Sequence, residues 1–208
     1  MSSPDFKLYF ITDQQNCPQA DIVSVIQQVS QAGCTAIQIR EKNLTARQLV
    51  SLAEQAKQRC SDSNTSILIN DRIDVMLASR ADGVHLTSQG IAPGAARALC
   101  GANKIIARST HSIDEIKEAE KQGCDFVLFG PIFPTPSKIK YGSPQGLKKL
   151  SLAAAATTLP VFAVGGIDLQ NTEQCLEHGA RGVAVISAIL KAPDISSRVA
   201  SFLNILHR

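Results

Sequence analysis

Gln38, Arg40 and Lys42 stand at every second position of the stretch Ala36-Ile37-Gln38-Ile39-Arg40-Glu41-Lys42. On a strand, alternate side chains share a face, so these three point one way and Ile37 and Ile39 the other. Two cations on the inward face of a buried strand are costly unless an anion or a carboxylate meets them. Further residues with matching chemistry follow along the chain: Asn70 with Asp71, His85 with Thr87, Ser109 with His111, Thr135 with Ser137 and Lys138, Gly165 with Gly166, and Ile186 with Ser187. Together they supply what a phosphorylated substrate needs. Arg40, Lys42 and Lys138 are cationic, Asp71 is a carboxylate able to meet Mg2+, and glycines let backbone amides approach an anion. Each also has a plainer role. Asp71 precedes a helix and suits an N-cap equally well, His85 and His111 taken singly suit structural roles, and Gly165-Gly166 suits a tight turn.

Something must bring these residues to one place. Short runs rich in Val and Ile alternate with amphipathic segments, which predicts strands over 7–13, 36–41, 66–71, 83–87, 104–110, 126–133, 160–166 and 182–187. Helices are expected over 21–32, 46–60, 73–79, 93–100, 113–122, 147–157, 171–178 and 195–206, the first with Ile22, Val25, Ile26 and Val29 at helical spacing. Gly33, Gly101, Gly123 and Gly179 punctuate helix ends, and Ser112 with Glu115 reads as a capping box. Eight strand–helix units predict a single (β/α)8 barrel over residues 1–208. A doubly wound sheet would carry a Gly-rich turn after the first strand, where this chain has Thr12-Asp13-Gln14-Gln15. In such a barrel the site lies at the carboxyl ends of the strands, where all the polar residues named above fall.

Composition narrows the function classes. A chain of 208 residues that is 44% hydrophobic carries enough apolar material for a core. Net charge is +3, the charges are scattered and aromatics are 4% with no Trp, which argues against nucleic acid as a partner. Cys17, Cys34, Cys60, Cys100, Cys124 and Cys175 form no CxxC pair and are expected as reduced thiols. No signal-peptide pattern or membrane-length apolar run is present, so the expected setting is the cytoplasm, away from membranes. Homo-oligomerisation is left open. The loop 139–145 is expected either as a lid over the site or as a surface connection.

The chain resembles the thiamine phosphate synthase/TenI family over nearly its whole length. The resemblance rests on Leu8-Tyr9-Phe10-Ile11-Thr12-Asp13, Gln38-Ile39-Arg40-Glu41-Lys42, Ile69-Asn70-Asp71-Arg72 and Ala81-Asp82-Gly83-Val84-His85-Leu86. It continues in Phe129-Gly130-Pro131-Ile132-Phe133-Pro134-Thr135-Pro136-Ser137-Lys138, Val164-Gly165-Gly166-Ile167 and Gly182-Val183-Ala184-Val185-Ile186-Ser187. It implies this barrel and a transferase that joins hydroxymethylpyrimidine diphosphate to thiazole phosphate, releasing diphosphate. It also implies that Gln38, Arg40, Lys42, Asn70, Ser109 and Lys138 hold the pyrimidine diphosphate, with Arg40 and Lys138 neutralising charge during catalysis. Thr135, Ser137, Gly165, Gly166, Ile186 and Ser187 would surround the thiazole phosphate, and Asp71 would bind Mg2+. The family's second metal-binding Asp corresponds to Gly90. Arg108-Ser109-Thr110-His111-Ser112 and Val127-Leu128-Phe129-Gly130 resemble the TenI branch of thiazole phosphate tautomerases, which need an acid/base and no metal. His111 is the candidate proton carrier there, while Pro131 stands where that branch places a histidine. A non-catalytic protein binding thiazole phosphate or thiamine phosphate is the further alternative.

Overall fold

Leu8–Ile11, Ala36–Ile39, Gly83–Leu86, Phe126–Phe129 and Gly182–Val185 are buried at every position, the mark of parallel strands covered on both faces. The structure, a computed structural model, describes residues 5–18, 21–135 and 143–207. Its strands are β1 (Leu8–Ile11), β2 (Ala36–Ile39), β3 (Ser66–Asn70), β4 (Gly83–Leu86), β5 (Ile105–Thr110), β6 (Phe126–Phe129), β7 (Val161–Val164) and β8 (Gly182–Val185). All neighbours pair in parallel, and β8 returns to β1, closing an eight-stranded barrel. The helices between them are α1 (Ile22–Gln31), α2 (Ala46–Arg59), α3 (Ile73–Ala78), α4 (Pro93–Cys100), α5 (Ile113–Lys121), α6 (Gly146–Ala155), α7 (Thr172–Glu177), α8 (Ser187–Leu190) and α9 (Ile195–Leu206). The barrel expected from the alternating pattern is thus the one formed. Among the described residues no helix is long and apolar enough to cross a membrane, and the six cysteines are free thiols.

Strand alternation divides the core in two. Outward residues such as Ile37, Ile39, Ile67, Ile69, Val84 and Val183 pack against the helices. Inward residues Tyr9, Ala36, Leu68, Ala107, Phe126, Leu128, Phe162 and Ala184 fill the barrel, joined by Phe6 from below β1. Phe126 packs edge-on against Phe6 (centroids 5.3 Å apart, 88°) and against Tyr9 (5.4 Å, 89°), and lies 5.2 Å from Phe162. Each ring buried this way contributes about 2–3 kcal/mol by removal from water. The barrel centre is therefore a packed aromatic plug, and any site must sit above it.

Local chemistry sets most element ends. Asp21 caps α1 by accepting from the amides of Val23 and Ser24, and Gly33, Gly101, Gly123 and Gly179 follow helices with positive φ. Two expectations are corrected. The sixth strand stops at Phe129 rather than 133, because Gly130-Pro131 follows and proline has no N–H for a ladder. Ser112 accepts from the Glu115 amide, but the Glu115 carboxylate reaches back to the His111 amide at 2.6 Å, so the reciprocal half of that capping box falls one residue early. A full capping box forms instead at Thr45 and Gln48 of α2.

At the amino-terminal rim, Arg97 of α4 ties two loops to the sheet. Its Nη1 donates to the carbonyls of Gly101 and Lys104 at 3.1 and 2.5 Å, and its Nη2 to that of Gly123 at 3.0 Å and to Asp125 at 2.7 Å. The same Asp125 oxygen accepts from the Ile106 amide at 2.7 Å. Removing the guanidinium would leave a largely buried carboxylate and three carbonyls without this donor. Arg97→Ala is therefore expected to cost about 3 kcal/mol in urea unfolding. Arg97→Lys should recover little, since an ammonium cannot reproduce the fork.

Candidate active site

Polarity rises along the inward face toward the carboxyl ends of the strands. On β2 it runs from Ala36 to Gln38 and on to Arg40, on β4 from Gly83 to His85 and on to Thr87, and on β5 from Ala107 to Ser109. Just above the aromatic plug these groups are linked. Gln38 Nε2 donates to the Tyr9 hydroxyl at 3.1 Å, the Tyr9 hydroxyl meets His85 Nδ1 at 3.5 Å, and His85 Nε2 lies 2.9 Å from Ser109 Oγ. Tyr9 and His85 also stack, with centroids 5.8 Å apart. Burial, and then the Arg40 charge, push the His85 imidazole down to about 3, so it stays neutral. Burial raises the Tyr9 phenol against the opposing Gln38 bond. Arg40 is the residue that follows the carboxyl end of β2. Asn70, the last residue of β3, pairs in register with His85.

Asp71 does not cap a helix. It has φ +59, and its amide continues the ladder to the His85 carbonyl at 2.9 Å. Its carboxylate turns to Thr87, with Oδ1 accepting from the Thr87 amide at 3.1 Å and Oδ2 from the Thr87 hydroxyl at 3.0 Å. The N-cap position of α3 is Arg72, which makes no side-chain cap.

Across the mouth, the β6, β7 and β8 ends present backbone. Gly165 and Gly166 have φ +94 and +68, which L side chains rarely adopt. A Cβ at Gly165 would lie 2.6 Å from that of Pro131, and one at Gly166 2.7 Å from that of Phe133. The two loops are zipped together, Ile132 donating to Val164 at 2.9 Å and Phe133 to Gly165 at 3.0 Å. Thr135 ends the described part of this loop, and Ser137, Lys138 and residues 139–142 of the expected lid lie outside the described residues. Ile186 leads into α8, whose first residue is Ser187. A short extra helix after the eighth strand is where barrels of this type place amides for a phosphate.

Two expected residues sit differently. β2 ends at Ile39, and Lys42 lies exposed in a turn closed by Leu44 donating to the Glu41 carbonyl at 3.3 Å, so the alternation begun at Gln38 does not run through to it. His111 Nδ1 lies 2.6 Å from the Gly130 carbonyl. A carbonyl only accepts, so that nitrogen carries the proton and the ring is tied to the loop after β6. Tyr9 and Glu41 were not singled out from the sequence, and Thr87 was named there without its partner Asp71. Glu41 is a buried carboxylate that accepts from the Gln14 amide at 3.0 and 3.2 Å, anchoring the loop after β1. Burial raises its pKa, and bonds from Thr12 and Gln14 oppose that. Alternation could have flagged Tyr9 as inward. The partners of Glu41 and Thr87 are long-range and left no local signal.

The arrangement offers a polar, cation-bearing half over β2 to β5 and a glycine-lined half over β6 to β8. Among the described residues no group of three or more His, Cys, Asp or Glu side chains is placed to hold a metal. Each Asp71 oxygen accepts one hydrogen bond and retains lone-pair capacity. Asp71 therefore fits Mg2+ as a single carboxylate ligand, the rest of an octahedral shell falling to phosphate oxygens and water.

Comparison with known proteins finds relatives over nearly the whole chain. Residues 8–189 match the family model described as thiamine monophosphate synthase. A putative thiamine-phosphate synthase of Geobacter sulfurreducens is 41% identical, covering 99% of this chain and 97% of that protein. A thiamine-phosphate synthase of Chlorobium luteolum is 40% identical, covering 100% and 96%. The solved structure of thiamine phosphate pyrophosphorylase from Pyrococcus furiosus superposes with a TM-score of 0.87 at 33% identity, covering 97% of this chain and 96% of that one.

The buried neutral histidine has a consequence for stability. Its folded pKa, about 3, lies below the ordinary 6.5, so between those values the unfolded chain binds a proton that the folded chain does not. Its contribution is full above pH 6.5 and is lost as pH falls toward 3. Relative to His85→Asn, the native chain should lose stability by on the order of 1 kcal/mol more per pH unit over that window, read from urea unfolding at pH 7 and pH 4.5.

Proposed function

Because this chain belongs to the thiamine monophosphate synthase family, we propose that its barrel mouth is the site where hydroxymethylpyrimidine diphosphate is joined to thiazole phosphate. It is an enzyme of thiamine biosynthesis, a transferase of the thiamine-phosphate-synthase type acting on small phosphorylated substrates. The observation that carries the site assignment is the division of the mouth into two unlike anion-receptive halves. Two phosphorylated substrates need two such places.

In the reaction, the bond between the pyrimidine methylene carbon and the diphosphate oxygen breaks, and the electron pair leaves with diphosphate. The thiazole nitrogen supplies the pair for the new C–N bond. Catalysis is then charge neutralisation and positioning, and the sum moves no proton. Arg40, with Lys42 from its turn and Lys138, takes the departing diphosphate charge. Gln38, Asn70 and Ser109 orient the pyrimidine, supported from below by Tyr9 and His85. Amides at Gly165, Gly166, Ile186 and Ser187, with Thr135 and Ser137, hold the thiazole phosphate at the opposite side. Asp71 would hold Mg2+, which when bound adds positive charge beside the diphosphate oxygens. His111 holds the loop after β6 through its Nδ1–H bond to the Gly130 carbonyl. The whole chain acts as one barrel unit, and its six free thiols fit a cytoplasmic setting.

Purified protein with both precursors and Mg2+ should form thiamine phosphate and diphosphate in equal amounts, and EDTA should suppress it. Failure to form thiamine phosphate would sink this reading. Arg40→Ala is expected to lower kcat/KM by roughly a hundredfold or more, the loss of charge-assisted bonds worth about 3 kcal/mol. Gly166→Ala, which must displace Phe133, should raise KM for thiazole phosphate more than KM for the pyrimidine.

A further inference from the structure

Gly90 is the position where the resemblance leads one to expect a second carboxylate. Its backbone is not among the glycines of positive φ, so conformation does not demand glycine. Space does. A Cβ built on Gly90 would lie 2.2 Å from Asp71 Oδ1, 3.3 Å from Asp71 Cγ and 3.3 Å from Thr87 Oγ1. The Asp71 carboxylate thus occupies the volume from which a side chain at 90 would start. Thr87 holds it there through both oxygens, and the turn is closed by the Gly90 amide donating to the Thr87 carbonyl at 3.1 Å.

We propose that Asp71, Thr87 and Gly90 form a clasp that satisfies the lone carboxylate without a cation, so that this chain takes up its divalent metal only together with diphosphate. The inference rests on the transferase reading for the identity of the anion. An octahedral hard cation needs six oxygens, and Asp71 offers it one charged oxygen already shared with Thr87. Hydrated Mg2+ alone gains one such contact and gives up a water. When diphosphate is present, its oxygens complete the shell, and Arg40 holds the remaining negative charge. In a two-carboxylate site the side chain at 90 would push Asp71 off Thr87 and leave a metal-ready pair. Here glycine gives that room to Asp71 itself.

Binding measurements test this without turnover. Mn2+, a six-coordinate oxygen-seeking stand-in for Mg2+, is titrated against protein alone by the loss of its free-ion EPR signal. Gly90→Asp, which restores a carboxylate pair, should bind Mn2+ roughly tenfold tighter or more than the native chain. Thr87→Val, which removes the hydroxyl and keeps the amide, should also tighten Mn2+ binding, because it loosens the clasp. A Thr87 that merely oriented a metal ligand would instead weaken binding when removed. In calorimetric titrations with inorganic diphosphate, Mg2+ should tighten binding by roughly tenfold for the native chain and not for Asp71→Asn. The proposal fails if native protein binds Mn2+ alone as tightly as Gly90→Asp, if Thr87→Val weakens it, or if Mg2+ leaves diphosphate affinity unchanged. Should these hold while no thiamine phosphate forms, the transferase reading falls and the clasp stands.

Discussion

Closure of eight parallel strands with side chains alternating in and out is the constraint on which the rest of the molecule depends. It leaves a narrow interior that must be filled, and Phe6, Tyr9, Phe126 and Phe162 fill it. Once that plug is in place, every inward residue above it faces a choice between apolar packing and a partnered polar group. Gln38, His85 and Ser109 take the second course, and Tyr9 is the hinge between the two regions, its ring in the plug and its hydroxyl in the network. An unpartnered polar group at that depth would cost several times what a typical hydrogen bond contributes. The network is thus a condition of the fold as well as a surface for a substrate.

The same closure explains why the two halves of the mouth differ. On β2 to β5 the inward residues continue past the strand ends as side chains, and the charge sits on Arg40 and Asp71. On β6 to β8 the strands lead into Gly130-Pro131, Gly165-Gly166 and Ile186, and a Cβ at Gly130, Gly165 or Gly166 would have no room. Backbone is what remains available there. A flexible cationic side chain can follow a diphosphate as it departs, whereas fixed amides suit a phosphate that stays on its substrate throughout.

Much of this was legible in the sequence, for reasons that differ from residue to residue. The strands and helices could be read because period-two and period-3.6 patterns are local, as are Asp21, Gly33 and Gly179 at helix ends. Gln38, Ser109 and Gly165-Gly166 could be placed at the mouth because strand ends of a parallel barrel converge. What was not legible depends on partners or turns that the periodic pattern does not encode. The Glu41 carboxylate finds the Gln14 amide, the Glu115 carboxylate reaches past Ser112 to His111, and the Lys42 side chain is carried off the strand face by a turn. Asp71 is the sharpest case. Its neighbours in sequence suit an N-cap, yet the carboxylate turns to Thr87 because the β3–β4 ladder extends one residue further through the Asp71 amide.

That extension bears on how such a site can differ from its relatives without collapsing. Two carboxylates at the end of adjacent strands repel each other unless a cation lies between them, so each depends on the metal for its stability. A single carboxylate beside a threonine has no such dependence, since a hydroxyl and an amide meet its charge in the absence of any ion. Glycine at 90 is what makes this geometry accessible, because a Cβ there would lie 2.2 Å from Asp71 Oδ1 and displace the carboxylate. On the clasp proposed above, the glycine at 90 and the threonine three residues before it work together. As a pair they give the carboxylate a resting state held by the protein alone, and in the proposed clasp Asp71 meets a metal only when a diphosphate brings it.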